Sequence, residues 1–241
     1  MKVSLCLMVW NELQGCEIDV PCLPKDEFHE IYAVDGGSTD GTVEYLESQG
    51  ILVYRQPVRG LNAAYHHAVE KSTCEAIVVF FPKGTIKPDE ARKALPFLKQ
   101  GCDLVVASRN IAGAYNEEDD HFLKPRKWLV CALSWLVTLV WQREGYRIRD
   151  VLHGFKGFTV TGFKSISPSV EGVSIDIEMV VRSYRLKLPR AEFPTVELPR
   201  NYGSSHFPIF NTGIKLLAYL FKEMRLPRKA LVPLVRKSSV S

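Results

Sequence analysis

At 241 residues and 27.3 kDa, the chain is long for one domain and short for two, which predicts one α/β unit with an appendage. Hydrophobic residues make up 46%, charged residues 24%, and the mean hydropathy is −0.04; these values exclude a disordered, collagen-like or integral membrane chain. The formal net charge of +4 is uneven: residues 215–237 hold seven Lys/Arg against one Glu, so the body is slightly acidic and is not, by composition, a nucleic-acid-binding surface.

Six cysteines (6, 16, 22, 74, 102 and 131) are scattered without a C-x-x-C pair. That argues against a zinc ribbon or disulfide scaffold and fits a reducing cytosol. The opening apolar run ends at Asn11-Glu12 with no small-residue cleavage site, so it is expected to be a first strand and not a signal peptide.

Short apolar runs bounded by turn residues predict strands over 2–9, 29–35, 51–55, 76–81 and 103–108. Helices are predicted between them over 40–48, 61–71 and 87–99, the first capped by Asp40-Gly41-Thr42. This alternation implies a mainly parallel, Rossmann-like sheet flanked by helices, with ligands at the carboxyl ends of the strands. An acidic loop over 116–120 follows, then Lys124-Pro125-Arg126-Lys127 and an apolar stretch over 128–141. As a helix that stretch measures about 21 Å, too short to span a membrane. It is expected either to be a buried core helix or to lie in a membrane interface with Trp128, Trp135 and Trp141 as anchors. Residues 1–211 form the predicted globular domain and 212–241 an amphipathic basic segment. In that segment Leu216/Leu217, Leu220/Phe221 and Met224 form one helical apolar stripe before Pro227.

Val34-Asp35-Gly36-Gly37-Ser38-Thr39-Asp40-Gly41-Thr42 follows a strand and opens a helix. Its glycines allow close backbone approach to a ligand, Asp35 can accept a hydrogen bond from a base or ribose, and the helix start favours phosphate. The plain alternative is a strand–turn–helix with Asp40 as cap. Five more blocks accompany it: Trp10-Asn11-Glu12 after the first strand, Arg59-Gly60-Leu61-Asn62-Ala63-Ala64, Ser108-Arg109, Asp150 to Lys156, and Arg200-Asn201-Tyr202-Gly203-Ser204-Ser205.

In this order the blocks resemble the family-2 glycosyltransferases of the GT-A fold, especially dolichol-phosphate mannose synthase-like enzymes, over about residues 3–207. The resemblance implies that Trp10, Asn11, Glu12, Asp35, Gly37, Ser38, Arg59, Asn62, Lys83 and Gly84 hold a nucleotide-sugar donor, UDP- or GDP-linked. Asp176 and Glu178, before Arg182, are implied catalytic residues; two positions apart on a helix, only one of them is expected to face the cleft. Arg109, Arg126, His153 and Arg200 are implied acceptor or phosphate binders, with Lys127 beside them, although Val130 stands where lipid-phosphate enzymes often carry serine. His66, His67 and His206 show no metal spacing.

The family's D-x-D, which holds Mg²⁺ or Mn²⁺ against the donor diphosphate, is replaced by Pro82-Lys83-Gly84. Neither Pro82 nor Gly84 has a side-chain oxygen for a hard cation. Mg or Mn thus lacks its usual ligands, and Lys83 is placed to act as counter-charge. The expected function is sugar transfer with inversion to an acceptor, with a lipid phosphate and an anionic membrane surface as candidate partners on the cytoplasmic side. Asp176 is the base where the acceptor needs one; a lipid phosphate, already ionised, needs none. The rivals are a non-catalytic nucleotide-sugar-binding protein and a nucleotidyltransferase, although the G-x-G-T-R-like loop of the latter is absent.

Overall fold

The computed structural model describes residues 1–120, 122–200 and 209–227. A seven-stranded sheet runs through it in the order β3-β2-β1-β4-β6-β5-β7. The strands are β1 (Val3–Val9), β2 (Glu30–Asp35), β3 (Leu52–Arg55), β4 (Ala76–Phe80), β5 (Leu104–Ser108), β6 (Lys156–Thr159) and β7 (Arg190–Pro194). All pairings are parallel except those of β6, which runs against both β4 and β5.

The helices are α1 (Leu13–Asp19), α2 (Thr42–Ser48), α3 (Leu61–Lys71), α4 (Leu95–Lys99), α5 (Pro125–Trp141), α6 (Val160–Ile166), α7 (Ile175–Arg185) and α8 (Ile209–Arg225). The helix predicted over 87–99 divides into a 3-10 turn over Pro88–Ala94 and α4. Pro96 has no N–H to give to the preceding turn, so a continuous α-helix cannot run through it.

The central strands are apolar on both faces because helices cover both. Alternation sorts them into two layers. Cys6, Met8, Ile77, Val79, Leu104 and Val106 pack beneath α3, α5, α6, α7 and α8. Leu5, Leu7, Val78, Phe80, Val105 and Ala107 pack against α1, α2 and α4. Because β6 is reversed, the segment that enters it, residues 153–155, reaches the same edge as the carboxyl ends of β1, β2, β4 and β5.

Two helices differ from expectation. Helix α5 buries Val130, Leu133, Ser134 and Val137, while Trp128, Leu129, Trp135, Leu136 and Leu139 are exposed. It is not a fully buried core helix: one face packs and the other is apolar and open. The single apolar stripe expected around 216–224 divides likewise. Leu216 and Leu220 are buried, and Glu223 is gripped by Arg182 and Arg185 of α7; Ile214, Leu217, Phe221 and Met224 are exposed. The basic–apolar stretch after Pro227 lies outside the described residues.

Gly162 opens α6 where no side chain fits. A Cβ there would sit 2.8 Å from the Thr159 hydroxyl, which caps the helix, and 2.9 Å from the Asp103 Cβ. Gly162→Ala is expected to lower stability by about 1–3 kcal/mol in urea unfolding, through overpacking; an unchanged midpoint would contradict this packing.

Candidate active site

Strand β1 delivers the loop Trp10–Glu12 beside the loop that follows β2, because Val9 and Asp35 are register partners. The two loops are knitted together. The Asn11 N–H donates to the Ser38 hydroxyl at 2.8 Å and the Asn11 side-chain oxygen accepts from the Thr39 N–H at 2.8 Å. Asn11 holds a left-handed φ of 51°, which asparagine tolerates better than most residues. Asp40 accepts from the N–H groups of Leu13 and Thr42, both at 3.1 Å, and so anchors the starts of α1 and α2 together.

Two cavities open along this edge. The larger, about 460 Å³, is lined by Met8, Val9, Trp10, Glu12, Val34, Gly36, Gln56, Arg59, Gly60, Leu61, Ala64, Phe81, Lys83 and Val173. The Arg59 guanidinium lies over the Trp10 ring at 4.4 Å. The smaller, about 190 Å³, is bounded by Arg109, His153, Asp176 and Glu197, among others. Leu61, Phe81 and Lys83 line both cavities, so they form the neck between them.

Asp35, expected to hold the donor, turns its carboxylate onto its own loop. Its carboxylate is fully buried, accepts from the N–H groups of Gly37 and Ser38 at 3.0 Å, and lines neither cavity. It shapes the loop from beneath. Gly37, at φ 94°, needs a conformation that side-chain-bearing residues resist.

Asp19, a residue that no motif marked, holds the neck loop. It is 2% exposed and accepts from the Gly84 N–H at 2.8 Å. Burial pushes its carboxyl up to about 6, against the lowering effect of that bond. Burial also lowers the Lys83 ammonium, opposed by the charge of Glu12. Gly84, expected beside the donor, lines neither cavity, and its N–H is taken by Asp19.

On the acceptor side, Asp176 is 13% exposed and its carboxylate accepts from Lys156 Nζ at 2.6 Å. Lys156 is fully buried; burial lowers its ammonium and Asp176 opposes that. Arg109 is held by Asp150 at 2.8 and 3.0 Å and by Glu197 at 2.8 Å. Burial would raise the Asp150 carboxyl, yet the Arg109 charge overrides it and holds it at about 2. His153 presents Nδ1 to the Ala107 carbonyl, and burial, then the Arg109 charge, keeps its imidazole below the ordinary value.

Three other expected site residues serve the scaffold. Glu178 is fully buried, receives the Ser169 N–H at 3.0 Å and pairs with Arg182 at 3.0 Å, so of the two acids only Asp176 lines the cleft. Asn62 is fully buried; its amide donates to the Ser169 carbonyl at 2.9 Å and accepts from the Ile175 N–H at 3.0 Å, tying α3 to α7. Arg126 points into the acidic loop, 3.2 Å from Glu117, and lines neither cavity; Lys127 pairs with Asp119. Their polarity resembled ligand chemistry, but each satisfies a neighbour's buried or acidic group.

Arg200 pairs with Glu12 at the rim of the larger cavity. The rest of its motif, residues 201–205, and His206 lie outside the described residues. His66 meets the Pro168 carbonyl at 3.0 Å and His67 packs edge-on to Tyr54, so both serve packing. Glu197 carries no motif, and Lys156 closes a motif block without a role of its own, because they flank or begin strands that sequence patterning does not show.

The described residues at the neck do not offer the ligand set that the family uses for a divalent cation. Among the described residues no three His, Cys, Asp or Glu side chains come together as a ligand set, and the β4 end supplies an ammonium where oxygen donors would be needed.

The mostly parallel sheet with its strand-end cleft is that of a GT-A glycosyltransferase. The chain superposes on glucosyl-3-phosphoglycerate synthase from Mycobacterium tuberculosis in complex with phosphoglyceric acid, with a TM-score of 0.71 and 16% identity over 94% of this chain and 81% of that one. Against the same enzyme with Mn²⁺, UDP-glucose and phosphoglyceric acid the TM-score is 0.66, with 16% identity over 94% and 80% of the two chains. It is 29% identical over 224 residues to glycosyltransferase AglJ of Haloferax volcanii, covering 89% of this chain and 70% of that protein. Residues 22–166 match the glycosyl transferase family 2 model, more than half of the chain, and the protein belongs to that family.

Asp35→Ala leaves two loop N–H groups without their acceptor. It is expected to cost roughly 1–3 kcal/mol of stability and to weaken nucleotide binding about tenfold through the loop. Calorimetry on the folded variant checks this, and unchanged affinity would contradict the loop's role. Asp19 yields a pH test. Its folded pKa lies above the ordinary 3.8, so its stabilising contribution is full below that value and is lost as pH rises through about 6. Wild-type stability relative to Asp19→Asn should therefore fall between pH 4 and 7, on the order of 2–3 kcal/mol; a flat difference would contradict the buried carboxyl.

Proposed function

We propose that the protein moves a sugar from a UDP- or GDP-linked donor to a phosphate acceptor carried on a lipid, with inversion. The observation that carries this reading is the pair of cavities meeting at Lys83, one apolar and aromatic, the other ringed by charge. A nucleoside fits the first against Trp10, its diphosphate reaches the neck, and the sugar faces the second. The acceptor oxygen forms its bond to the anomeric carbon as the bond to the diphosphate oxygen breaks, and the nucleoside diphosphate leaves with that electron pair. The neighbouring enzyme's complexes with UDP-glucose agree with a nucleotide-sugar donor.

One feature favours an acceptor that is already ionised. Asp176 is held by a buried ammonium, so taking a proton there would weaken the charge partner of Lys156. A phosphate oxygen needs no base. Asp176 in this reading orders Lys156 and the cleft wall.

A membrane position agrees with the open helical faces. Trp128, Leu129, Trp135 and Leu139 on α5, and Ile214, Leu217, Phe221 and Met224 on α8, are exposed, and α8 carries Lys215, Lys222 and Arg225. None of the described helices is long and apolar enough to cross a membrane. Interfacial tryptophans and basic residues suit attachment to an anionic leaflet, each nearby cation adding up to about 1 kcal/mol.

The test combines labelled UDP- and GDP-sugars with anionic or neutral vesicles containing a polyisoprenyl phosphate. Label should enter the organic phase, and the protein should co-sediment with anionic vesicles in a salt-sensitive manner that is lost when residues 213–241 are removed. Label transferred only to soluble phosphates, with the protein in the supernatant at low salt, would contradict the lipid acceptor.

A further inference from the structure

The neck between the cavities is where a donor diphosphate must lie if the two chambers hold nucleoside and acceptor, and a role for the neck in binding it rests on that donor reading. Arg59, Lys83, Arg109 and Arg200 are among the cations at this edge. Arg109 is bound by Asp150 and Glu197, Arg200 by Glu12, and Arg59, which lines only the larger cavity, is stacked on Trp10. Lys83 alone of these lines both cavities. Its Nζ lies 5.1 Å from the centre of the Phe81 ring, and among the described residues no carboxylate stands within ion-pair distance of it.

The loop that carries Lys83 is fixed at its base. Asp19 accepts the Gly84 N–H at 2.8 Å, and the Thr85 carbonyl accepts the Leu198 N–H at 2.8 Å. Gly84 holds a left-handed φ of 65°, which turns the chain sharply after Lys83. A buried carboxylate therefore grips the loop backbone from below while an ammonium stands at the neck above it.

We propose that Lys83, held in place by Asp19, neutralises the donor diphosphate without a divalent cation. A metal at this edge would do two things: offset the charge of the diphosphate and fix the loop against it. Here the ammonium supplies the charge, and the Asp19 carboxylate, bonded to the backbone, supplies the fixing. Lys83 is the group that touches the donor; Asp19 is a positioning residue. Half-buried among Phe81 and Leu61, the ammonium acts where water screens it poorly, so one charge exerts a large effect on a developing diphosphate anion.

The experiment is calorimetry on the full chain with UDP, GDP, UMP and GMP, each with EDTA and with Mn²⁺. The matching diphosphate is expected to bind with EDTA to within about threefold of its affinity with Mn²⁺. Lys83→Ala should weaken the diphosphate about tenfold or more and leave the monophosphate unchanged, as loss of one charge-assisted contact predicts. Lys83→Arg should retain most of the affinity. Asp19→Ala should reproduce the diphosphate-selective loss and Asp19→Asn, which keeps an acceptor for the Gly84 N–H, should recover it. A merely structural Asp19 would lower thermal stability and weaken mono- and diphosphate alike. Monophosphate binding also serves as the internal control for a folded site in each variant.

Diphosphate binding that disappears with EDTA and returns with Mn²⁺ overturns the proposal while leaving the donor reading intact. An unchanged diphosphate affinity in Lys83→Ala overturns it too. If no nucleotide binds under any of these conditions, the donor reading falls and this proposal falls with it.

Discussion

A fully buried ammonium lies where β6 enters the sheet. Lys156 begins β6, opposite Val79 and Val106, in a position where every neighbouring strand residue is apolar. A charge there is tolerable only with a close partner, since an unpaired buried ion costs several kcal/mol. Asp176 meets that requirement at 2.6 Å, and meeting it sets where α7 lies over the sheet. Asn62 then holds the start of α7 to α3, and Tyr65 of α3 donates to the Gly154 carbonyl beside β6 at 2.7 Å. One wall of the cleft is thus built outward from a single ion pair.

The other charges along the cleft follow the same rule of local compensation, and that rule separates scaffold from ligand site. Arg109 pairs with Asp150 and Glu197, Arg182 pairs with Glu178 and shares Glu223 with Arg185, and Glu12 pairs with Arg200. They rigidify the acceptor side, the α7–α8 contact and the cavity rim. Lys83 at the neck is the cation that lines both cavities, and the neck lies where the carboxyl ends of β1, β2 and β4 converge. This is the point at which ligands gather in doubly wound sheets. Helices α5 and α8, whose outer faces are apolar, bury their inner faces in the same core as the sheet, so the core beneath the cleft also supports the proposed membrane side.

The first five strands were legible because each is an apolar run bounded by turns, and their observed limits differ from the predicted ones by a residue or so. Strands β6 and β7 were not. Lys156-Gly157-Phe158-Thr159 and Arg190-Ala191-Glu192-Phe193-Pro194 carry charges in a four- or five-residue span, and pattern gives no sign that those charges are buried. Glu192, for instance, accepts from the N–H groups of Arg149 and Asp150 at 2.8 and 2.9 Å, a partnership made 43 and 42 residues away. The motif blocks located the cleft but not the duty of each member. Asp35, Asn62 and Glu178 have the chemistry of ligand-binding side chains, yet they use it on backbone groups nearby. Asp19 shows the converse: nothing in its local sequence marks it, because its partner, the Gly84 N–H, is 65 residues distant.

A nucleotide-sugar lying across the neck, with its diphosphate at Lys83, is the arrangement on which the proposed chemistry of the cleft depends. The most direct test is a crystal structure of the full chain with a UDP- or GDP-sugar, grown in the presence of EDTA. The base is expected against Trp10 in the larger cavity, diphosphate oxygens within hydrogen-bond distance of Lys83 Nζ, and the sugar directed toward Asp176. A nucleotide bound elsewhere, or a diphosphate turned away from Lys83 toward solvent, would contradict it.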